Sequence, residues 1–437
     1  MLLTSRVIRI SVASLLTGLL IGVVGGLFQF FLFRANYLRD SLVFWAHSSP
    51  YIGWLAPIAL GFVGAALARI LVVRVSPEAE GSGVQRVEAV FSGEVKPASH
   101  SILPVKFFGG LIAMGSGLAL GREGPVVQMG ASLAMLVSRF LLKHDEDVRV
   151  IEAAGAGAGL AVAFNAPIGG SIFVFEELTE SFTPWLLVAT LASASCAVWT
   201  MRLMLGNQLD FTVRQVSLTA VWKGWPFLAL GALLGAVGAF YNFAIIAWLR
   251  LADRFPARSS VLRAGLIGAV IGLIAWFAPS LIGGGDNLTQ GVLAGRYLMG
   301  TLAAIFLMRF VLGPLSYAAG TPGGLFAPML VLGASFGGLF GEVLKHLFPD
   351  TGVTVVACAV VGMGTLFSAC VRAPLTGIVL AIEMTGRADL TLALLGASLV
   401  AMVIAMLLRS EPIYETLKRR MLEQHARAKA LSPVGRA

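Results

Sequence analysis

Seven apolar segments, 10–33, 51–73, 185–205, 226–250, 261–278, 298–317 and 388–408, are each long enough to cross a membrane. A helix needs about 20 such residues to traverse a hydrocarbon core of about 30 Å, where backbone polar groups must be satisfied internally. Because these segments run through the whole sequence, the lipid-facing material is the body of the protein, an all-α polytopic membrane protein. Only 13% of the 437 residues are charged and 57% are hydrophobic, against about 25% charge in ordinary soluble domains. The formal charge of +9 sits between and beyond the spans, as positive-inside topology requires. No basic run is interleaved with aromatics, so no nucleic-acid partner is expected. Cys196, Cys358 and Cys370 lie singly in apolar segments, with neither a disulfide framework nor a metal-ligand pattern; no metal or cofactor is expected. Arg6 and Arg9 precede an apolar run too long for a signal-peptide core, which makes 10–33 the first membrane helix.

Between the long spans, 104–179 and 323–386 are broken by Gly, Pro and isolated charges into pieces expected to be too short to cross. The breaks repeat. Gly121, Pro125, Gly130, Ala131 and Ser132 return 203 residues later as Gly324, Pro328, Gly333, Ala334 and Ser335. Gly155, Gly157, Ala166, Pro167, Gly170 and Glu176 return 207 residues later as Gly362, Gly364, Ala373, Pro374, Gly377 and Glu383. The chain therefore divides into homologous halves, about 1–210 and 211–414, followed by a short basic tail, 415–437. Seven Lys or Arg between Arg409 and Arg436 place that tail in the cytoplasm. Repeated membrane proteins with paired broken helices are typically transporters, with the substrate held near midplane.

Gly121-Arg122-Glu123-Gly124-Pro125 and Gly324-Leu325-Phe326-Ala327-Pro328 have the composition of helix starts: Gly permits close backbone approach and Pro fits a first turn. A buried helix start offers unpaired N–H groups and a partial positive charge, and so favours an anion. The bland alternative is a Gly-rich packing contact. Glu123 argues against it, because a carboxylate inside a membrane is expensive and normally functional. Its side chain can occupy the anion's own site and leave on protonation; a structural ion pair with Arg122 is the competing role. Gly81-Ser82-Gly83, with Gly283-Gly284-Gly285 as its opposite number, offers a hydroxyl beside free N–H groups, or is simply a turn.

These motifs, together with Tyr414, Ala163-Phe164-Asn165-Ala166-Pro167, Glu176-Glu177 and Arg372-Ala373-Pro374-Leu375-Thr376-Gly377, resemble in order and approximate spacing the CLC family of chloride channels and chloride/proton antiporters. The resemblance covers nearly the whole chain. It implies two inverted repeats of short, tilted and broken helices, and a homodimer with one pore per subunit. It further implies that Ser82 and Tyr414 donate hydroxyls to a central anion, with the N–H groups of Leu325 and Phe326 completing the site. By the same resemblance Glu123 is the external gate and proton acceptor. Glu177 falls where antiporters of the family keep an internal proton-transfer glutamate and channels usually do not. Glu176 then has a supporting role, or is a structural residue like its counterpart Glu383. Gln85 departs from the family's Gly-Ser-Gly-x-Pro, and either loosens that helix start or adds an amide donor. Ser82 favours chloride, with bromide or nitrate as further candidates, and Glu123-Gly124-Pro125 with Tyr414 argues against the fluoride branch. No cystathionine-synthase-like regulatory pair follows Tyr414, so a bacterial inner membrane is the expected location.

Two rival functions were weighed. Gly283-x-Gly285-Asp286 formally matches intramembrane aspartyl proteases, but no second aspartate lies in an apolar segment. Ser335 has no credible base, since His47, His100, His144, His346 and His425 fall in polar connections or near segment ends; an enzyme is not expected. The closer rival is a passive anion channel of the same fold, which shares every feature except the role of Glu177. The expected function is chloride transport sensitive to voltage and pH, coupled to proton movement in the opposite direction.

Overall fold

A computed structural model describes residues 2–49, 51–97, 99–213 and 224–431. Its first half contains α1 (Leu2–Ala46), α2 (Leu55–Arg74), α3 (Val84–Phe91), α4 (Ile102–Gly115), α5 (Glu123–Leu141), α6 (Asp145–Ala163), α7 (Pro167–Phe173) and α8 (Pro184–Leu205). The same order returns as α9 (Trp225–Asp253), α10 (Ser260–Phe277), α11 (Asp286–Leu293), α12 (Met299–Tyr317), α13 (Phe326–Leu347), α14 (Val355–Val371), α15 (Pro374–Thr385) and α16 (Thr391–Leu407). A further helix, α17 (Ile413–Leu431), begins one residue before Tyr414 and carries most of the expected tail as regular structure. Residues 432–437 of that tail lie outside the described ones. Among the described residues, nine helices are long and apolar enough to cross a membrane.

The halves are related by reciprocal contacts. Gly121 N–H donates to Gly324 O at 2.9 Å, and Gly324 N–H donates back to Gly121 O at 2.7 Å. Gly81 N–H donates to Thr321 O at 3.2 Å, while Gly283 N–H donates to Gly117 O at 2.8 Å. Each contact is its counterpart with the halves exchanged, as a two-fold axis between them demands. The repeats are inverted in direction. The start of α1 is tied through Arg6 to Asp147 at the start of α6, and its far end reaches the large cavity near His47. α9 starts from the opposite side and ends with Asp253 paired to Arg420 of α17 at 2.5 Å.

Repeated glycines are the crossing points of this packing. The position of a side chain on Gly155 would lie 2.6 Å from Gly130 O; Gly333 and Gly362 abut each other's carbonyls in the same way. Gly157 against Gly170 and Gly364 against Gly377 form a second equivalent pair of contacts. Close approach of this kind replaces a solvent-driven force between membrane helices by dispersion contact.

Two length expectations need correction. α1 covers 45 residues rather than 10–33, because its polar second half is held by protein: Arg39 bonds Asn36, Asp40 and Met114 O. The broken regions also hold helices of spanning length, α5 and α6 with 19 residues each and α13 with 22. Gly inside them costs only about 1 kcal/mol of propensity, and close packing of the bare backbone offsets that. Their starts, not their lengths, are unusual: α5 and α13 begin in fully buried surroundings.

Candidate functional site

α5 and α13 start on either side of the reciprocal Gly121–Gly324 pair. Glu123, the first residue of α5, is fully buried, and its Oε1 accepts the N–H of Phe326, the first residue of α13, at 2.6 Å. Its own N–H and that of Ala327 also reach the carboxyl. A carboxylate of one repeat thus sits in the anion-favouring helix start of the other. The space is cut for it. A side chain on either Gly121 or Gly324 would overlap the carboxyl oxygens, and one on Gly124 would lie 2.6 Å from Ser82 Oγ. Leu325 caps α13, and the Phe326 ring makes tilted contacts with Phe164 and Phe367, with centroids 4.9 and 3.9 Å away. Pro125 and Pro328 both fall in the first turns of their helices.

The possible Glu123–Arg122 ion pair does not form. The Arg122 guanidinium turns away to Ala163 O at 2.8 Å, Asp210 at 3.2 Å and Asp286 at 3.4 Å. Asp286 and Asp210 thus bracket the Arg122 guanidinium.

Ser82 precedes α3. Gly83, with φ of +89°, takes the left-handed conformation that turns the chain into the helix, as Gly285 does before α11 with φ of +99°. Such angles are readily available only to glycine. With Gln85 in this first turn, Arg86 and Val87 N–H both reach Gly83 O at 3.1 Å. Unlike proline, Gln85 also keeps its N–H. Ser82 Oγ, Tyr414 OH, Glu123 Oε2 and Gln85 Oε1 are all buried without a hydrogen-bond partner among the described residues. Buried polar atoms normally have partners, so Ser82, Tyr414 and Glu123 leave polar capacity close to the starts of α5 and α13 that a ligand can use. Tyr414 lies within electrostatic range of both Glu123 and Glu177.

Three structural roles were missed in the sequence. Lys106 is fully buried and donates to Gly81 O at 2.7 Å and Ser82 O at 3.1 Å, bracing the Gly-Ser-Gly loop from behind. Its repeat partner Arg309 does the same for the second loop, donating to Gly283 O and Gly284 O at 2.7 Å each. The signal was present as a lone cation in each of two apolar segments, 203 residues apart. The third is a reciprocal cap: Glu176 accepts from Leu375 N at 3.0 Å and Thr376 N at 2.7 Å at the start of α15. Glu383 accepts from Ile168 N at 3.2 Å and Gly169 N at 2.6 Å at the start of α7. Glu176 is therefore a cross-repeat helix cap. Glu177 shares with it a π-helical turn, Val174–Leu178, a feature frequent at functional sites. It lies within electrostatic range of Glu88, Glu176, Glu180 and Glu415, and Lys418 of α17 bonds Glu88 at 2.6 Å.

Comparison with known proteins fits this geometry. The family model described as voltage gated chloride channel matches residues 64–406. The H(+)/Cl(-) exchange transporter ClcA of Vibrio cholerae is 39% identical over 421 residues, covering 94% of this chain and 89% of the relative. A crystal structure of a slow cyanobacterial Cl-/H+ antiporter superposes with a TM-score of 0.91 at 32% identity, covering 95% and 98% of the two chains. A eukaryotic CLC transporter shares the fold, with a TM-score of 0.82 at 22% identity over 96% of this chain and 75% of the other. Paired helix starts, a carboxylate lodged between them and this similarity along nearly the full length place the chain in the voltage-gated chloride channel family, the CLC family.

Proposed function

We propose that this protein exchanges chloride for protons across a membrane. The carrying observation is the Glu123 carboxyl bonded to Phe326 N–H, with the unpartnered hydroxyls of Ser82 and Tyr414 buried in the same polar site. A chloride held by those hydroxyls and by the Leu325 and Phe326 N–H groups competes with Glu123 for one positive helix start. Protonation neutralises the carboxyl, weakens its charge-assisted bonds and lets it swing out, so a single group alternates between blocking the anion and carrying a proton. Glu177 then passes the proton towards the face bearing α17, and its presence supports exchange over passive conduction.

That face is cytoplasmic in this proposal. Arg6 lies near the start of α1, Arg74, Arg139 and Arg254 lie at the ends of α2, α5 and α9, and α17 carries Lys418, Arg419 and Arg420; positive-inside orientation assigns these basic ends to the cytoplasm. The cavity at the far end of α1 then opens outward, the natural setting is a bacterial inner membrane, and the working unit is a homodimer with one pore in each subunit. The test is flux in proteoliposomes under a chloride gradient with voltage clamped by valinomycin and potassium. Protons are expected to move uphill, driven by chloride; chloride flux with no accompanying proton movement would replace exchange by a channel.

A further inference from the structure

The cavity at the far end of α1 has a volume of about 880 Å³ and is lined in part by Arg122, the residue before Glu123, together with Asp210 and Asp286. Asp210, in the connection after α8, and Asp286, at the start of α11, bond the two terminal nitrogens of Arg122, and Ala163 O takes its Nε–H. A guanidinium has five N–H donors. Among the described residues these three bonds leave one donor on each terminal nitrogen of a side chain that lines the cavity.

Resting on the exchange reading above, we propose that Arg122 is an outer anion-docking station, and that the carboxylates of Asp210 and Asp286 are its tethered competitors, Asp210 leaving that role when it takes up a proton from the outer solution. With both carboxylates ionised, the cluster carries one positive and two negative charges and repels chloride. A proton on Asp210 makes the cluster neutral and frees the Arg122 nitrogen it held for the anion. Side-chain exposures of 20% for Arg122, 18% for Asp210 and 53% for Asp286 keep the cluster in reach of solvent while limiting screening. Burial pushes the Asp210 carboxyl up to about 6 against the opposing pull of Arg122, which puts its titration in a range that mildly acidic surroundings reach. The other charged groups around the cluster are Glu123 on its own helix, Arg39 with its neighbour Asp40 on α1, Arg202 on α8 and Arg309 on α12; His47 lines the far wall. Arg39 is matched by Asp40, Arg202 is bonded to Asn165, and Arg309 is bonded to carbonyls, so Asp210 and Asp286 are the acids set directly against Arg122.

The test separates this cluster from the gate by working in a Glu123→Ala background, which removes the gate's own titration and requires no proton coupling. Chloride flux into proteoliposomes is measured against bath chloride at bath pH 5 to 7.5, with lumen composition fixed. With both aspartates present, the half-saturating chloride concentration is expected to fall on the order of fivefold between pH 7.5 and 5 as Asp210 takes up its proton, the Coulomb effect of one unit charge near the path. Asp210→Asn with Asp286→Asn, nearly isosteric changes, should show the low value at pH 7.5 and a flat profile. A double variant with the parent's concentration dependence and pH profile would overturn the proposal. Chloride titration calorimetry on the same two proteins at pH 7.5 gives an independent reading: tighter binding in the double variant is expected, and equal affinity counts against the station. Loss of proton coupling in the unmodified protein would count against exchange and leave these outcomes readable.

Discussion

Replacing Glu123 by alanine removes the group proposed to compete with the anion, and the size of the effect follows from its bonds. The carboxyl accepts Phe326 N–H at 2.6 Å and is also reached by the N–H groups of Ala327 and Glu123 itself. A hydrogen bond to a charged group contributes about 1.5–3 kcal/mol. A chloride entering the unmodified site must displace at least the Phe326 bond, whereas in Glu123→Ala that donor is free. Since about 1.4 kcal/mol is a factor of ten, chloride should bind about 10- to 100-fold more tightly in the variant, as measured by calorimetry in detergent at pH 7.5. The difference should shrink as pH falls, because protonation detaches the carboxyl in the unmodified protein, whereas the variant has no carboxyl to detach. Affinities equal within about threefold at pH 7.5 would refute the competition, since that is less than one such bond supplies.

Other substitutions probe separate parts of the account. Glu177→Gln is expected to abolish proton flux in proteoliposomes while chloride still passes; equal loss of both would contradict separate proton and anion branches. Glu176→Ala should lower the stability of the detergent-solubilised protein by about 2 kcal/mol, since it removes a charged cap from the start of α15, and an unchanged unfolding midpoint in denaturant would contradict this role. Lys106→Met leaves Gly81 O and Ser82 O without their buried donor, at a cost of about 1–3 kcal/mol, and should weaken chloride binding in calorimetry. Valine at Gly130 or Gly333 is expected to abolish folded, monodisperse protein on size exclusion, equally for the two, because their contacts with Gly155 and Gly362 are equivalent.

Much of this architecture was legible because hydrophobic length and repeated punctuation are local signals. The seven spans correspond to helices, and the repeated glycines turn out to divide between two tasks. Gly121, Gly124 and Gly324 clear space around the Glu123 carboxyl and Ser82, whereas Gly130, Gly155, Gly333 and Gly362 let helix backbones touch. Spacing alone does not distinguish them. The extension of α1 was hidden because Arg34, Arg39 and Asp40 interrupt its apolar run, and only the neighbours of Arg39 explain their tolerance. The crossed caps of Glu176 and Glu383 were illegible for a different reason: their acceptors and donors lie 199 to 215 residues apart in sequence. Arg122 drew attention through its motif, but its partners Asp210 and Asp286 come from separate elements, so only the fold brings the cluster together. Lys106 and Arg309 were the recoverable omission, since an isolated cation in an apolar segment is costly wherever it occurs.

The central claim, an anion held by hydroxyls and helix starts in rivalry with Glu123, is tested most directly by anomalous diffraction from crystals grown in bromide. In Glu123→Ala one bromide is expected within hydrogen-bonding distance of Ser82 Oγ, Tyr414 OH and Phe326 N–H, with a weaker peak there in the unmodified protein, where the carboxyl holds Phe326 N–H. Bromide absent from this position in the variant, or equally strong there in both crystals, would contradict the rivalry.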